Sequence, residues 1–499
     1  MHVPQVYRWL LLSLLAIPAW APAYAQQLSG GPSPLNVPLS LDQLLAAGTQ
    51  SPFSGSVPSA KLTPGVLDLS VDDAIDRGLK YNLGIVLSGQ ATAQAKAARL
   101  KELSGILPQL NGSLRESELK LSLPAEGLTF KIPGLNIGSA VRVSNSDARV
   151  SMSENLVDFH DIENIRAATA NVRAAGFTFN SAKETVTLAV AASYLLVIAA
   201  ESQVEAAAAE LKTAEALQQL ARDREAAGLN PNIDTLRSQV ELQVRRQNLI
   251  EANNNLAKQR IALLRVLGLP AHQQLNLVSR VPYKPLPKVS EEDALQRALA
   301  ARPDYLAADQ QVKAAELQKR AAEAERLPTL GVSGDYGVLG THPDNAFPTW
   351  TVNAGLKIPI FQGGKIEADI RQADAVLQQR KAQRDDLKGR IEQDVADAIL
   401  DATAAAEQVE VAQTTLEYAQ QTLTQSQDRF SAGVTNNIEV IQAQEALATA
   451  NQQYIGSLYS HNIAKVLLAR AIGAAEQTLR QVLGDSPASA PQDNPAPAK

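Results

Sequence analysis

Late in the chain, apolar and polar residues alternate along Trp350-Thr-Val352-Asn-Ala354-Gly-Leu356-Lys-Ile358-Pro-Ile360, with every even position apolar. A period of two belongs to a strand with two unlike faces. An earlier stretch, Val150-Ser-Met152-Ser-Glu154-Asn-Leu156, alternates in the same way except at Glu154. Each stretch closes a predicted pair of strands, and helical sequence flanks each pair. The preceding helix starts at Ser70 or Ser290, where Asp73 or Asp293 three residues on makes a variant of the capping box. Both helices are predicted to run to about Ser104 and Arg326, stopping at Leu-Pro because proline pushes its predecessor out of the α region. The helices after the strands are much longer, about 162–227 and 366–432, with only isolated glycines (Gly176, Gly389) inside them. At ~1.5 Å per residue each extends ~100 Å. Gly228 and Gly433 then turn the chain back, and in the first return helix Leu242, Leu249, Leu256 and Leu263 recur every seven residues as a coiled-coil seam.

The order helix–strand–strand–helix occurs twice. Residues 69–77 match 289–297, and Leu107-Pro108-Gln109-Leu110 matches Leu327-Pro328-Thr329-Leu330, both 220 positions apart. Residues 224–234 match 429–439, and Leu267-Gly268 matches Ile472-Gly473, both 205 positions apart. Anchors in constant order point to an internal duplication, with a first repeat over 69–280 and a second over 281–484. Residues 26–68, rich in Pro, Gly and Ser, read as an extended arm, and 485–499 as a flexible tail. Residues 1–25 read as a secretory signal: Arg8, an apolar run over 9–17, then Ala23-Tyr24-Ala25. The alternative, a membrane anchor, needs ~20 apolar residues, and no later stretch is expected to span as a helix either.

Composition agrees with long helices packed through small side chains: aromatics are 4% of the 499 residues and the net charge is −6 with both signs mixed. No basic run exists and the sequence pI is near 5.6, so a nucleic-acid partner is not expected. Cysteine is absent, which leaves an exported chain without disulfides or an acylated cysteine.

A 100 Å helix has no globular core in which to bury its apolar stripe, so it must pack against other long helices. Strands with one apolar and one polar face suit a wall between lipid and water. Four strands cannot close a barrel, and lipid does not tolerate an open strand edge, so closure requires several chains. Three would supply twelve strands and a matching helical tube.

The chain resembles the TolC-like outer-membrane efflux protein family. The resemblance rests on Arg326-Leu-Pro-Thr-Leu330 opening the third strand, Ile358-Pro-Ile-Phe-Gln-Gly-Gly364 closing the fourth, and the turn motifs around Gly228 and Gly433, and it covers about residues 69–484. It implies a mixed α and membrane β fold: a homotrimer with a 12-stranded β-barrel, four strands per chain, continuous with a long α-helical barrel. It implies residence in the outer membrane of a Gram-negative-type cell and a duct for efflux or type I secretion. The implied partners are outer-membrane lipid, a periplasmic adaptor (membrane fusion) protein and an inner-membrane pump of RND, ABC or MFS type, with no chemistry done by the chain. Two departures stand out. The first repeat has Leu156-Val157-Asp158-Phe159-His160 where the second has the Pro-Ile-Phe-Gln-Gly-Gly form, and its strand–strand connection is 16 residues longer, predicting an enlarged surface loop near 124–140.

Gly228, Leu229, Gly433 and Val434 sit where the long helices reverse. They are helix C-caps, and by the resemblance also the tip that meets the adaptor. Asp234 and Glu439 follow the turns at equivalent positions. Either they serve the helix dipole alone, or threefold repetition makes them acidic rings at a constriction, a ring thinned by Gln442 where the family has a second acid. Phe159, Trp350 and Phe361 are candidates for an interfacial aromatic girdle, with packing against a neighbouring protomer as the other reading. The five histidines show no ligand spacing, Gly363-Gly364-Lys365 lacks the rest of a phosphate loop, and no hydrolase or zincin motif occurs, so no metal, cofactor or catalytic residue is expected. Two rivals remain: a periplasmic adaptor, against which the two hairpins alternating with strand pairs argue, and a coiled-coil structural protein or adhesin without transport.

Overall fold

The computed structural model describes residues 52–57, 65–122, 125, 140–229, 231–279, 283–285 and 290–473. The expected signal, most of the arm and the tail lie outside these residues. The first half comprises β1 (Leu67–Leu69), α1 (Val71–Tyr81), α2 (Leu83–Leu103), β2 (Gln109–Ser122), β3 (Ala140–Val157), α3 (Phe159–Ala226), α4 (Asn232–Leu267) and β4 (Leu275–Leu277). The second half comprises α5 (Glu291–Ala301), α6 (Pro303–Ala324), β5 (Thr329–Gly340), β6 (Ala346–Lys357), α7 (Lys365–Ser431) and α8 (Asn437–Ala471).

The long helices match their predicted bounds, but each helix leading into the strands is two helices, not one. Asn82 takes an extended conformation between α1 and α2: its N–H closes the first helix on the Gly78 carbonyl and its side chain accepts from Gly84 N to start the next. Arg302 takes the same place in the second half, as expected of a residue before proline. Its buried guanidinium donates to Asp304 at 2.7 Å and Asp394 of α7 at 2.9 Å, fixing the corner against the long helix.

The broken helices bury small faces on the long ones. Val71, Ala74 and Ile75 are fully buried, and a Cβ on Gly78 would meet Val190 at 2.4 Å, so this crossing admits only glycine. Ala294, Ala298, Ile391, Val395 and Leu468 form the corresponding core of the second half. α3 contains a window apolar enough to cross a membrane by length and composition, contrary to expectation, but most of it is buried within the protein. Tyr194 in that region spends its hydroxyl on the Leu69 carbonyl at 3.0 Å, beside the parallel β1–β4 pair. Nearby, Lys465 of α8 is buried, donates to the Lys284 carbonyl and pairs with no acidic group among the described residues.

Beyond this waist, α4, α3, α8 and α7 lie side by side in that order, so α4 and α7 are the open edges of a helical wall. At the other end the strands form one antiparallel sheet, order β2-β3-β5-β6, with β2 and β6 as unpaired edges. Register aligns one apolar row across all four strands: Leu110, Met152, Gly334 and Val352, then Gly112, Val150, Tyr336 and Trp350. The opposite face carries Asn111, Ser151, Asp335 and Thr351. A bulge between Asn155 and Val157 lets Val157 face Leu330, which resolves the irregular end of the first repeat's second strand. The enlarged connection expected near 124–140 falls between the two strands: β2 runs to Ser122 and β3 begins at Ala140, and most of what lies between is outside the described residues.

Candidate functional site at the hairpin tips

Both long helices end in the same way. Gly228 and Gly433 have φ of 72° and 76°, a left-handed conformation that side chains resist. The Leu229 N–H reaches back to the Arg224 carbonyl at 2.8 Å and the Val434 N–H to the Arg429 carbonyl at 2.9 Å, the Schellman arrangement. Leu229 and Val434 are left exposed at the two turns. The predicted tip residues are therefore brought together at one end of the wall.

The two turns are tied by a residue that sequence reasoning did not single out. Arg224 of α3 donates through Nη1 to the carbonyls of Phe430 (2.8 Å) and Ser431 (2.9 Å), the last carbonyls of α7, and lies 5.1 Å from the buried Phe430 ring. An arginine of the first hairpin thus caps the helix of the second. Its repeat counterpart, Arg429, does something else: it pairs with Glu439 of its own hairpin at 3.3 Å. A second tie runs in the other direction, from Asn437 of α8 to the Asp234 carbonyl (3.1 Å) and the Ser238 hydroxyl (2.6 Å) of α4. Leu217, Leu423, Phe430, Val440 and Ala443 fill the space behind these ties.

Asp234 and Glu439 are not equivalent in their surroundings. Asp234 is buried, with Arg237 at 3.5 Å, whereas Glu439 is half-exposed between Arg429 and the Thr435 hydroxyl. Each carboxylate has an arginine neighbour within its own hairpin.

Further up the wall, Arg245 of α4 is 4% exposed and binds Glu241 at 2.6 Å and Glu210 of α3 at 3.3 Å; Asn451 of α8 reaches the same Glu210 at 3.4 Å. Burial raises the Glu210 pKa, opposed by the Arg245 charge. This polar layer borders a groove of 1250 Å³ whose apolar side, Ile233, Leu236, Val240 and Val244 on α4, is exposed. On the opposite edge, Leu400, Val411 and Tyr418 of α7 are exposed as well.

Of the aromatic candidates, Trp350 pairs with Tyr336 on the apolar row of the sheet, while Phe159 and Phe361 stand exposed at the sheet–helix junctions. Among the described residues no cluster of His, Asp and Glu has the makings of a metal site.

The family model for outer membrane efflux proteins matches this chain twice, over 89–269 and 294–474. Among curated proteins, 25% identity over 240 residues relates it to the probable outer membrane lipoprotein SilC of Salmonella typhimurium, an alignment spanning 47% of this chain and 50% of SilC. The pyoverdine export outer membrane protein OpmQ of Pseudomonas putida is 24% identical over 86% of this chain and 92% of its own length. Among solved structures, the outer membrane protein VceC of Vibrio cholerae superposes with a TM-score of 0.68 at 17% identity, covering 81% of this chain and 96% of that one.

Proposed function

This chain belongs to the outer membrane efflux protein family, and on that premise we propose that it is one of three identical protomers of a passive duct from a periplasmic adaptor and inner-membrane pump to the exterior. The observation that carries the reading is that both ends of the protomer are unfinished in the same sense. β2 and β6 are unpaired edges of a sheet with an apolar row, and α4 and α7 are open edges of a helical wall with exposed apolar side chains. An edge strand in lipid needs a partner, so β6 of one copy pairs with β2 of the next, and closure by three copies makes a 12-stranded barrel. The same rotation sets Val240 and Val244 of one copy toward Val411 and Tyr418 of another. The apolar row with Tyr336 and Trp350 then faces lipid, and the row with Asp335 and Thr351 faces the lumen.

At the far end, Leu229 and Val434 form the apolar tips that an adaptor would grip, and Asp234 and Glu439 border the narrowest part of the passage. Phe159, Trp350 and Phe361 contribute to the aromatic girdles. The chain performs no reaction; transport energy is the pump's. The test is fractionation of outer membranes followed by mass measurement of the detergent-solubilised protein. A particle of three chains that forms pores in planar bilayers is the expected result. A monomer recovered from the soluble periplasm would sink the proposal in favour of the adaptor-like or structural coiled-coil readings.

A further inference from the structure

The hairpin of β2 and β3 outgrows its neighbours. β5 ends at Gly340 opposite Ser146, and β6 starts at Ala346 opposite Gly340. The β2–β3 ladder continues past Glu116–Ser146, from Ser117–Asn145 to Ser122–Ala140, about 20 Å at ~3.4 Å per residue. Its register is unbroken, so the two faces keep their parity along the whole ladder.

The chemistry does not keep that parity. Below Glu116 the even face is apolar, with Leu110, Leu114, Val150 and Met152, and the odd face polar, with Asn111, Arg115, Asp147 and Arg149. Above it the even face carries Glu116, Glu118, Lys120 and Arg142, with Glu118 and Arg142 paired at 3.7 Å, while the odd face carries Leu119, Leu121 and Val143. The amphipathicity inverts within one continuous ladder. A charged even face cannot lie against hydrocarbon, so the lipid boundary falls at Glu116–Ser146 and the overhang stands in water.

We infer that the overhang's apolar face is an interaction surface for the same hairpin of neighbouring copies, gathered over the mouth of the barrel. This rests on the threefold reading above. The odd face is the one that lines the lumen lower down, so Leu119, Leu121 and Val143 point across the passage. Leu119 and Val143 are 55% and 42% exposed in the single chain, a cost that a solvent-facing hairpin would have no reason to carry. No strand among the described residues borders β3 above Gly340, and across a threefold lumen the facing surface is the other copies' own row. Three such rows meeting would bury the apolar side chains and leave the balanced charges of the even face to the outside.

The absence of cysteine makes the surface directly testable in outer membranes carrying the full chain. Leu121→Cys and Val143→Cys, placed separately on the odd face, should link chain to chain with a short flexible bis-maleimide in most molecules. Glu118→Cys, on the even face, should link in under a tenth and instead react with a membrane-impermeant maleimide added outside. Extracts are sized in parallel without crosslinker. Trimers that fail to link at either odd-face position overturn this inference and leave the threefold reading intact. Monomeric extracts overturn the threefold reading itself and this inference with it.

Discussion

The guanidinium of Arg224 lies 2.8 Å from the carbonyl of Phe430, 206 positions further along the chain, and closes a helix that belongs to the other half of the duplication. Charge-assisted hydrogen bonds to orphan carbonyls at a helix end are among the stronger polar contacts available at a surface. Arg224→Ala should loosen the second tip by about 1.5–3 kcal/mol. Hydrogen exchange over 426–434 checks this: protection should fall there and not over 217–227. A uniform fall along both hairpins would mean that Arg224 supports the wall rather than the tip.

Gly228 and Gly433 share a conformation but not a neighbourhood. A Cβ on Gly228 meets nothing within 4 Å, whereas one on Gly433 sits 3.4 Å from Arg224 Nη2. Valine at either position brings the left-handed penalty of ~1–2 kcal/mol. Gly433→Val also crowds the capping arginine. Export should therefore drop further in Gly433→Val than in Gly228→Val, with trimer yield preserved in both. Normal export in Gly433→Val would count against tip docking.

Neutralising the tip acids has a defined sign. Glu439→Gln leaves Arg429 without its partner, and Asp234→Asn does the same to Arg237. If these residues border the constriction, the double variant should shift the reversal potential in a salt gradient toward anion preference, and most of the shift should come from the half-exposed Glu439. Selectivity identical to the parent channel would remove both residues from the constriction.

Lys465 supplies a pH dependence. Burial, helped by the nearby charge of Lys284, pushes its pKa down to about 8 from the ordinary 10.5. A depressed lysine means that the folded chain binds fewer protons than the unfolded one between pH 8 and 10.5, so its contribution to stability rises with pH across that window and is lost as pH falls through 8. Lys465→Met removes the titration. Relative to the parent, its unfolding midpoint should be most favourable near pH 7 and lose that advantage by pH 10.5, a swing of roughly 3 kcal/mol. A constant difference between the two proteins over that range would contradict a buried, charged Lys465.

Much of this architecture was legible because it is periodic. The 205-residue spacing of Gly228 and Gly433 located both tips, and the even-position alternation through Trp350 located a sheet face that the register confirms. The helix breaks were written less plainly. Pro303 announces the corner at Arg302, but Asn82 breaks its helix only because its side chain can cap Gly84, a choice that asparagine makes in some contexts and not in others. Leu119 and Leu121 flanking Lys120 carry a strand period, in agreement with β2 running on to Ser122. The tie from Arg224 to Phe430 could not be read at all. Duplicated positions suggest equivalent roles, whereas Arg224 and Arg429 look in different directions once two hairpins are packed side by side.

The sheet order β2-β3-β5-β6 leaves a strand edge at each end, and for a hydrogen-bonding edge bound for lipid there is no acceptable solitary state. With the threefold closure proposed above, folding and association become a single equilibrium, and the apparent stability of the protein would scale with how many copies share a membrane. A dilute chain and a crowded one with the same sequence would differ in their resistance to heat and protease by mass action alone.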